Sequence, residues 1–349
     1  MLSFAVEAPK HYRAALRIAQ AVSLDYPEPE NIIIAGMGGS AIGGELVKDW
    51  ARNKAQVPIE ISRDYTLPAY AGKRSLVVIV SYSGETEESL SALHDAAKKK
   101  CPIYCISSGG SLLKFAEKLS LPHLQVPAGM PPRAALPYLF VPLIVILEKM
   151  RLVADVSDDL REGIKILAQV SNENLPERPL ESNPAKTLAS GINGTVPVVY
   201  GFGIYRGVSQ RFKQQFNENA KVPAKWEVFP ELNHNEVVGW EKAGKLAEHF
   251  SAIFLRDKRE PEAVRSRIEI TKTLMGSASK KFEMWSRGES ELARMLSAIL
   301  VGDFTSVYLA VLRKVDPTPV QTITLLKEKL NQTGTKEKII RQLAKLAGA

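Results

Sequence analysis

Between Asn31 and Glu45 a run of isoleucines gives way to glycines, NIIIAGMGGSAIGGE, and little fits this stretch except a buried strand, a tight turn and a helix start. Ile32, Ile33 and Ile34 are consecutive and β-branched, the pattern of a parallel-sheet strand covered on both faces. Gly36, Gly38 and Gly39 let the chain turn sharply and let a ligand approach the backbone. Ser40 adds a hydroxyl beside the N–H groups that open the next helix, where an anion binds well. Gly36, Gly38 and Ala41 also satisfy a loose dinucleotide pattern, G-x-G-x-x-[GA]. The next long strand, Leu76 to Val80, runs into Ser81, Tyr82, Ser83, Gly84, Glu85 and Thr86. Such a hydroxyl cluster at the carboxyl end of a strand suits a compact phosphate ester better than a dinucleotide. No acidic residue clearly ends the second strand for a ribose, although Glu60 and Asp64 are near.

With 349 residues, 45% of them hydrophobic, the chain can bury a core of two-domain size. No uninterrupted apolar run reaches the roughly 18 residues of a membrane span. The opening MLSFAVEAPKHYR does not read as a secretory leader, so the expectation is a cytoplasmic protein without a membrane partner. Cys101 and Cys105 are too few for a disulfide framework or a four-ligand zinc site and read as buried thiols. The formal net charge of +8 favours anionic ligands. Its basic clusters, Lys98 to Lys100 and Lys336 to Lys345, lack interleaved aromatics and read as solvated helix faces, so nucleic acid is not expected. His11, His94, His123 and His249 show no ligand spacing, and His234 with Glu236 lacks a third ligand, so no metal is expected.

Strand and helix alternate through the first half: strands near 31–34, 59–62, 76–80, 103–107 and 123–126, with helices between them. After the proline-rich loop 127–132 come Arg133 and an apolar helix to Met150, and a boundary near residue 153 gives domains 1–153 and 154–349. The second half repeats the opening layout at Val196 to Tyr200, Gly201 and Gly203, followed by strands at 226–229 and 252–255 and helices at 260–275 and 290–314. The expected fold class is α/β, with two doubly wound parallel sheets flanked by helices. DPTPV and two basic helical segments form a tail packed on the outside or on a partner.

Taken together, GMGGSAIGG, SYSGETEE, PPRAAL, PELNHNE and DPTP resemble the bifunctional phosphoglucose/phosphomannose isomerases over about residues 1–330. The resemblance implies two sugar isomerase (SIS) domains, a homodimer, no metal or other cofactor, and interconversion of glucose 6-phosphate or mannose 6-phosphate with fructose 6-phosphate. It places the phosphate on Ser81, Ser83 and Thr86, with Gly39 and Ser40 lining the sugar. Arg133 corresponds to an arginine facing the enediolate, Glu218 to the carboxylate base, and His234 to a ring-opening histidine supplied by the neighbouring subunit. Lys327, preferred to Lys314, corresponds to the ring-opening lysine near the chain end. Moving a proton between C1 and C2 needs one base, a fixed positive charge for the oxyanion and a held phosphate, and these residue types supply each. A non-catalytic sugar-phosphate sensor and a nicotinamide-dependent oxidoreductase are the rival readings; a pure binder has no need of a base.

Overall fold

A computed structural model describes residues 1–276 and 280–348. The chain divides into two compact units, one of residues 11–156 and 320–349, the other of residues 1–10 and 157–319. Relative to a division at residue 153, the two terminal segments exchange places: the first ten residues join the second-sheet unit, and the tail joins the first.

The chain opens with α1 (Leu2–Val6) and α2 (Ala8–Ala19), then enters the first sheet. Its elements are β1 (Asn31–Ala35), α3 (Gly39–Ala51), β2 (Ile59–Ser62), β3 (Ser75–Val80), α4 (Glu87–Lys98), β4 (Ile103–Ser107), α5 (Gly110–Lys118), β5 (His123–Gln125) and α6 (Leu136–Lys149). All pairings are parallel and the strand order is β2-β1-β3-β4-β5. The order reverses between β1 and β3, so the loops after these two strands leave the sheet side by side, the usual ligand crevice of such folds. β3 is buried at every position, which explains its unbroken apolar run. Ile33, Ala35, Val77 and Ile79 form a core with α4 and α5, while Ile34 on the alternate face meets α3 at Gly44. α6 is buried from Leu136 to Leu147, with Pro137 in its first turn, where a missing N–H is tolerated. Cys101 and Cys105 are free, buried thiols, and burial pushes Cys105 up to about 12.

The second unit runs through α7 (Ser157–Glu173), α8 (Pro184–Ile192), β6 (Val196–Phe202), α9 (Arg206–Glu218), β7 (Lys225–Phe229), β8 (Phe250–Arg256), α10 (Glu262–Leu274), β9 (Lys280–Trp285) and α11 (Glu291–Leu312). Its sheet is parallel, in the order β7-β6-β8-β9. α11 is long and apolar enough to cross a membrane, but 78% of its most apolar window is buried, against α7, α8 and α9. Two of its charges are paired inside the unit: Asp303 receives the Arg211 guanidinium at 2.7 Å, and Arg294 lies 3.0 Å from Asp257. It is a core helix. The tail, α12 (Gln321–Asn331) and α13 (Thr335–Ala347), belongs to the first-sheet unit.

Two elements depart from the sequence reading. Asn183-Pro184 is a helix start, with the Asn183 side chain accepting the Lys186 N–H at 2.9 Å and Pro184 in the first turn, where the sequence reads only as loop. β9, KKFEMW, is an edge strand whose half-exposed, charge-interrupted residues carry no buried-strand signal.

Candidate active site

Ser81 follows β3, is buried, and donates from Oγ to Thr86 Oγ1 at 2.9 Å. Thr86 occupies the N-cap of α4 yet makes no side-chain capping bond, so the first-turn N–H groups receive no acceptor from it. Ser83 stands exposed on the turn between them and accepts the Glu85 N–H at 3.2 Å. Ser40, at the start of α3, accepts the Tyr82 N–H at 3.1 Å, which locks the glycine turn after β1 onto the hydroxyl loop after β3. Three hydroxyls and a helix N-terminus thus converge at one end of the sheet, a geometry complementary to an oxyanion.

The loop is also fixed from behind. Ser108 donates from both N and Oγ to the Tyr82 carbonyl, at 2.9 and 2.6 Å, and the Leu112 N–H donates to the Gly84 carbonyl at 3.0 Å. Gly84 has φ +67°, and a Cβ there would lie 1.9 Å from the Gly109 carbonyl oxygen, so only glycine allows this backbone approach.

A third loop closes in from residues 127–134. Tyr82 donates its hydroxyl to the Pro127 carbonyl at 2.9 Å and accepts the Met130 N–H at 3.0 Å. Arg133 sits in the short 3-10 turn Pro132–Ala134, only 3% exposed. A Cβ at Gly39 would meet the Pro132 carbonyl at 3.1 Å and the Arg133 nitrogen at 3.2 Å, and one at Gly43 would meet the Leu139 carbonyl at 3.4 Å. The glycines four residues apart therefore let α3 seat tightly on the arginine turn and the start of α6. Gly39, Ser40, Ser81, Ser83, Thr86 and Arg133 all belong to this one unit.

Glu218 and His234 belong to the other unit. Glu218 is the last residue of α9 and is half-buried; the adjacent Asn219 is fully buried and donates to Ser306 Oγ at 2.9 Å, which anchors the helix end. His234 is exposed at the end of the 3-10 turn Glu231–His234. Glu236 accepts the Tyr200 hydroxyl at 2.6 Å, so it is engaged by the second sheet. Lys327 lies on α12, which buries none of its residues. Lys314 follows α11 at φ +56° and donates its N–H to the Val311 carbonyl at 3.0 Å, the role of a helix terminator.

The second sheet repeats the layout without the chemistry. Where β3 runs into hydroxyls, β8 runs into Arg256, Asp257, Lys258, Arg259 and Glu260. Arg256 is bound by Glu260 at 2.6 Å and Glu269 at 2.7 Å and also by Glu283, while Asp257 receives the Tyr205 hydroxyl at 2.7 Å. A cleft of about 880 Å³ lies at this end of the sheet, lined by Asp257, Arg259, Trp285, Arg287 and Glu289. Its arginines are already paired, Arg259 with Glu289 and Arg287 with Glu173.

A bifunctional phosphoglucose/phosphomannose isomerase of Caldicellulosiruptor bescii is 40% identical over 326 residues, which span 92% of this chain and 96% of that relative. The chain belongs to the bifunctional phosphoglucose/phosphomannose isomerase family. A relative of the same name from Thermoplasma acidophilum is 35% identical, over 86% of this chain and 90% of its own. Residues 181–330 match the family described as bacterial phospho-glucose isomerase C-terminal SIS domain. Among solved structures, the C-terminal domain of glucosamine-fructose-6-phosphate aminotransferase from Francisella tularensis superposes with a TM-score of 0.70 at 16% identity, covering 91% of this chain and 98% of that one. A hypothetical protein from Thermus thermophilus gives 0.73 at 16%, covering 95% and 90%. Taken with the SIS-domain family match, these likenesses establish the fold, two SIS domains.

Within this isomerase-family chain, the sequence reading leaves the roles of Tyr82 and Glu85 unassigned. Both stand inside the SYSGET motif, which is the signal that marks them. Glu85 Oε1 accepts from Ser111 N and Oγ at 2.7 and 3.0 Å, and Oε2 pairs with Lys336 Nζ at 2.6 Å. Partial burial pushes this carboxyl up, but Lys336 and Ser111 outweigh it and hold it below the usual value of 4.5. The ionised contacts therefore add stability above that value and are lost as pH falls through the lowered one.

Proposed function

We propose that this protein interconverts glucose 6-phosphate and fructose 6-phosphate, and mannose 6-phosphate and fructose 6-phosphate, through an enediolate. The observation that carries this reading is the hydroxyl cradle of Ser81, Ser83 and Thr86 ahead of the α4 N-terminus, with buried Arg133 one glycine contact away. The cradle takes the phosphate and holds the sugar in register. Gly39 and Ser40 line the sugar side. Glu218 lifts the proton from one carbon and returns it to its neighbour. Arg133 stabilises the enediolate oxygen without itself titrating. His234 and Lys327 move the protons that open the ring. No metal or cofactor enters these steps. We place the protein in the cytoplasm, where hexose phosphates are found and thiols such as Cys101 and Cys105 stay reduced.

Removing a hydroxyl from the cradle tests the phosphate assignment. Thr86→Val is expected to raise KM for fructose 6-phosphate about tenfold or more, because hydrogen bonds to charged groups contribute about 1.5–3 kcal/mol. An unchanged KM sends the phosphate elsewhere.

The reading includes a homodimer in which His234 reaches the partner's site. Mixing Glu218→Gln chains with His234→Asn chains, each inactive alone, is expected to restore about a quarter of wild-type activity, since half the dimers would be mixed and each would hold one intact site. No recovery after exchange of subunits would mean that both residues serve the same chain.

A further inference from the structure

The family match ends at residue 330, and the helix beyond it has no part in the reaction steps above. That helix, α13, is amphipathic and packs on α4 and α5. Its Ile339 and Leu343 enter the core built from Leu90, Leu93, Leu112 and Phe115. These two helices are the ones whose N-termini frame the hydroxyl loop: Thr86 precedes the first, and Ser111 lies in the first turn of the second.

From its first turn α13 sends Lys336 to Glu85, 2.6 Å away, and the lysine side chain keeps only 20% of its exposure. Glu85 is the residue between Gly84 and Thr86, so its carboxylate is a negative charge within the loop that must hold a dianion. Both of its oxygens are taken up, one by Ser111 at the N-terminus of α5 and the other by Lys336. An ammonium there does two things. It neutralises a charge that would repel the phosphate, and it fixes the backbone that places Ser83 and Thr86.

We propose that Lys336 is a positioning residue for substrate phosphate, acting through Glu85, and that the C-terminal helix exists to hold the phosphate loop in its binding conformation. This rests on the proposed sugar-phosphate reading. The pair is partly exposed, so its effect is moderate and belongs to binding, leaving the proton transfer untouched.

The test uses the full chain and two readouts: steady-state kinetics with fructose 6-phosphate, and calorimetric titration with glucitol 6-phosphate, an alditol that cannot isomerise. Lys336→Met is expected to raise KM and the Kd of glucitol 6-phosphate together by about three- to tenfold, with kcat changed less than about twofold. Lys336→Arg should restore both values, and Lys338→Met, an exposed lysine of the same helix, should leave both unchanged. A merely structural role would lower the active fraction, and with it the apparent kcat, without moving KM. Wild-type protein that binds glucitol 6-phosphate, with Lys336→Met indistinguishable from Lys338→Met, overturns the positioning role alone. Wild-type protein that neither binds it nor turns over fructose 6-phosphate overturns the sugar-phosphate reading itself.

Discussion

Glu218→Gln is expected to lower kcat by about a hundred- to ten-thousandfold, with KM changed less than about threefold, because the amide keeps the shape of the side chain but cannot take up a proton. Position supports the assignment. The residue ends α9 beside Asn219, whose amide is tied to Ser306, and Lys221 donates to both the Glu218 carbonyl and, at 2.7 Å, the Pro319 carbonyl. A carboxylate carried on so well-fixed a helix end is suited to meeting two adjacent carbons in turn. If Glu218 is instead an ordinary helix-end carboxylate, its replacement changes stability by no more than about 0.5 kcal/mol and leaves turnover near wild type. Stopped-assay kinetics with fructose 6-phosphate distinguish the two outcomes.

Gly84→Ala is expected to destabilise the protein by about 2–4 kcal/mol and to abolish tight phosphate binding. Two effects combine. The backbone is left-handed at φ +67°, and the new methyl would lie 1.9 Å from the Gly109 carbonyl and 2.9 Å from Ser107 Oγ. Neither obstacle yields easily, because the two loops are joined by the Ser108-to-Tyr82 and Leu112-to-Gly84 hydrogen bonds. Gly109→Ala is the matched control. That residue has extended backbone and open space around its Cβ position, so its substitution should cost less than about 0.5 kcal/mol. Urea unfolding of the pair measures the difference, and equal midpoints would show that the loops separate without cost.

The first sheet was legible because its central strands are buried on both faces, and consecutive Ile and Val residues have few alternatives. The cluster of hydroxyls after β3 was legible because it lies within one short stretch, Ser81 to Thr86. The motif resemblance places Gly39 and Ser40 beside the sugar; the geometry gives each a structural role, since Gly39 makes room for the arginine turn and Ser40 anchors the hydroxyl loop. What joins distant stretches left no local signal. Lys336 reaching Glu85 spans most of the chain in sequence, and a lysine in a basic helix looks the same whether it is solvated or paired. The tail's membership in the first unit was hidden for the same reason, since an amphipathic helix announces that it has a partner but not which one. β9 carries no strand signal because it lies at the sheet edge, with Met284 its lone buried residue.

The central claim is tested most directly by incubating the purified protein with fructose 6-phosphate and identifying the sugar phosphates formed. The account predicts both glucose 6-phosphate and mannose 6-phosphate, in yields unchanged by EDTA. No product from folded protein that still binds glucitol 6-phosphate would contradict it and leave a sugar-phosphate sensor in its place.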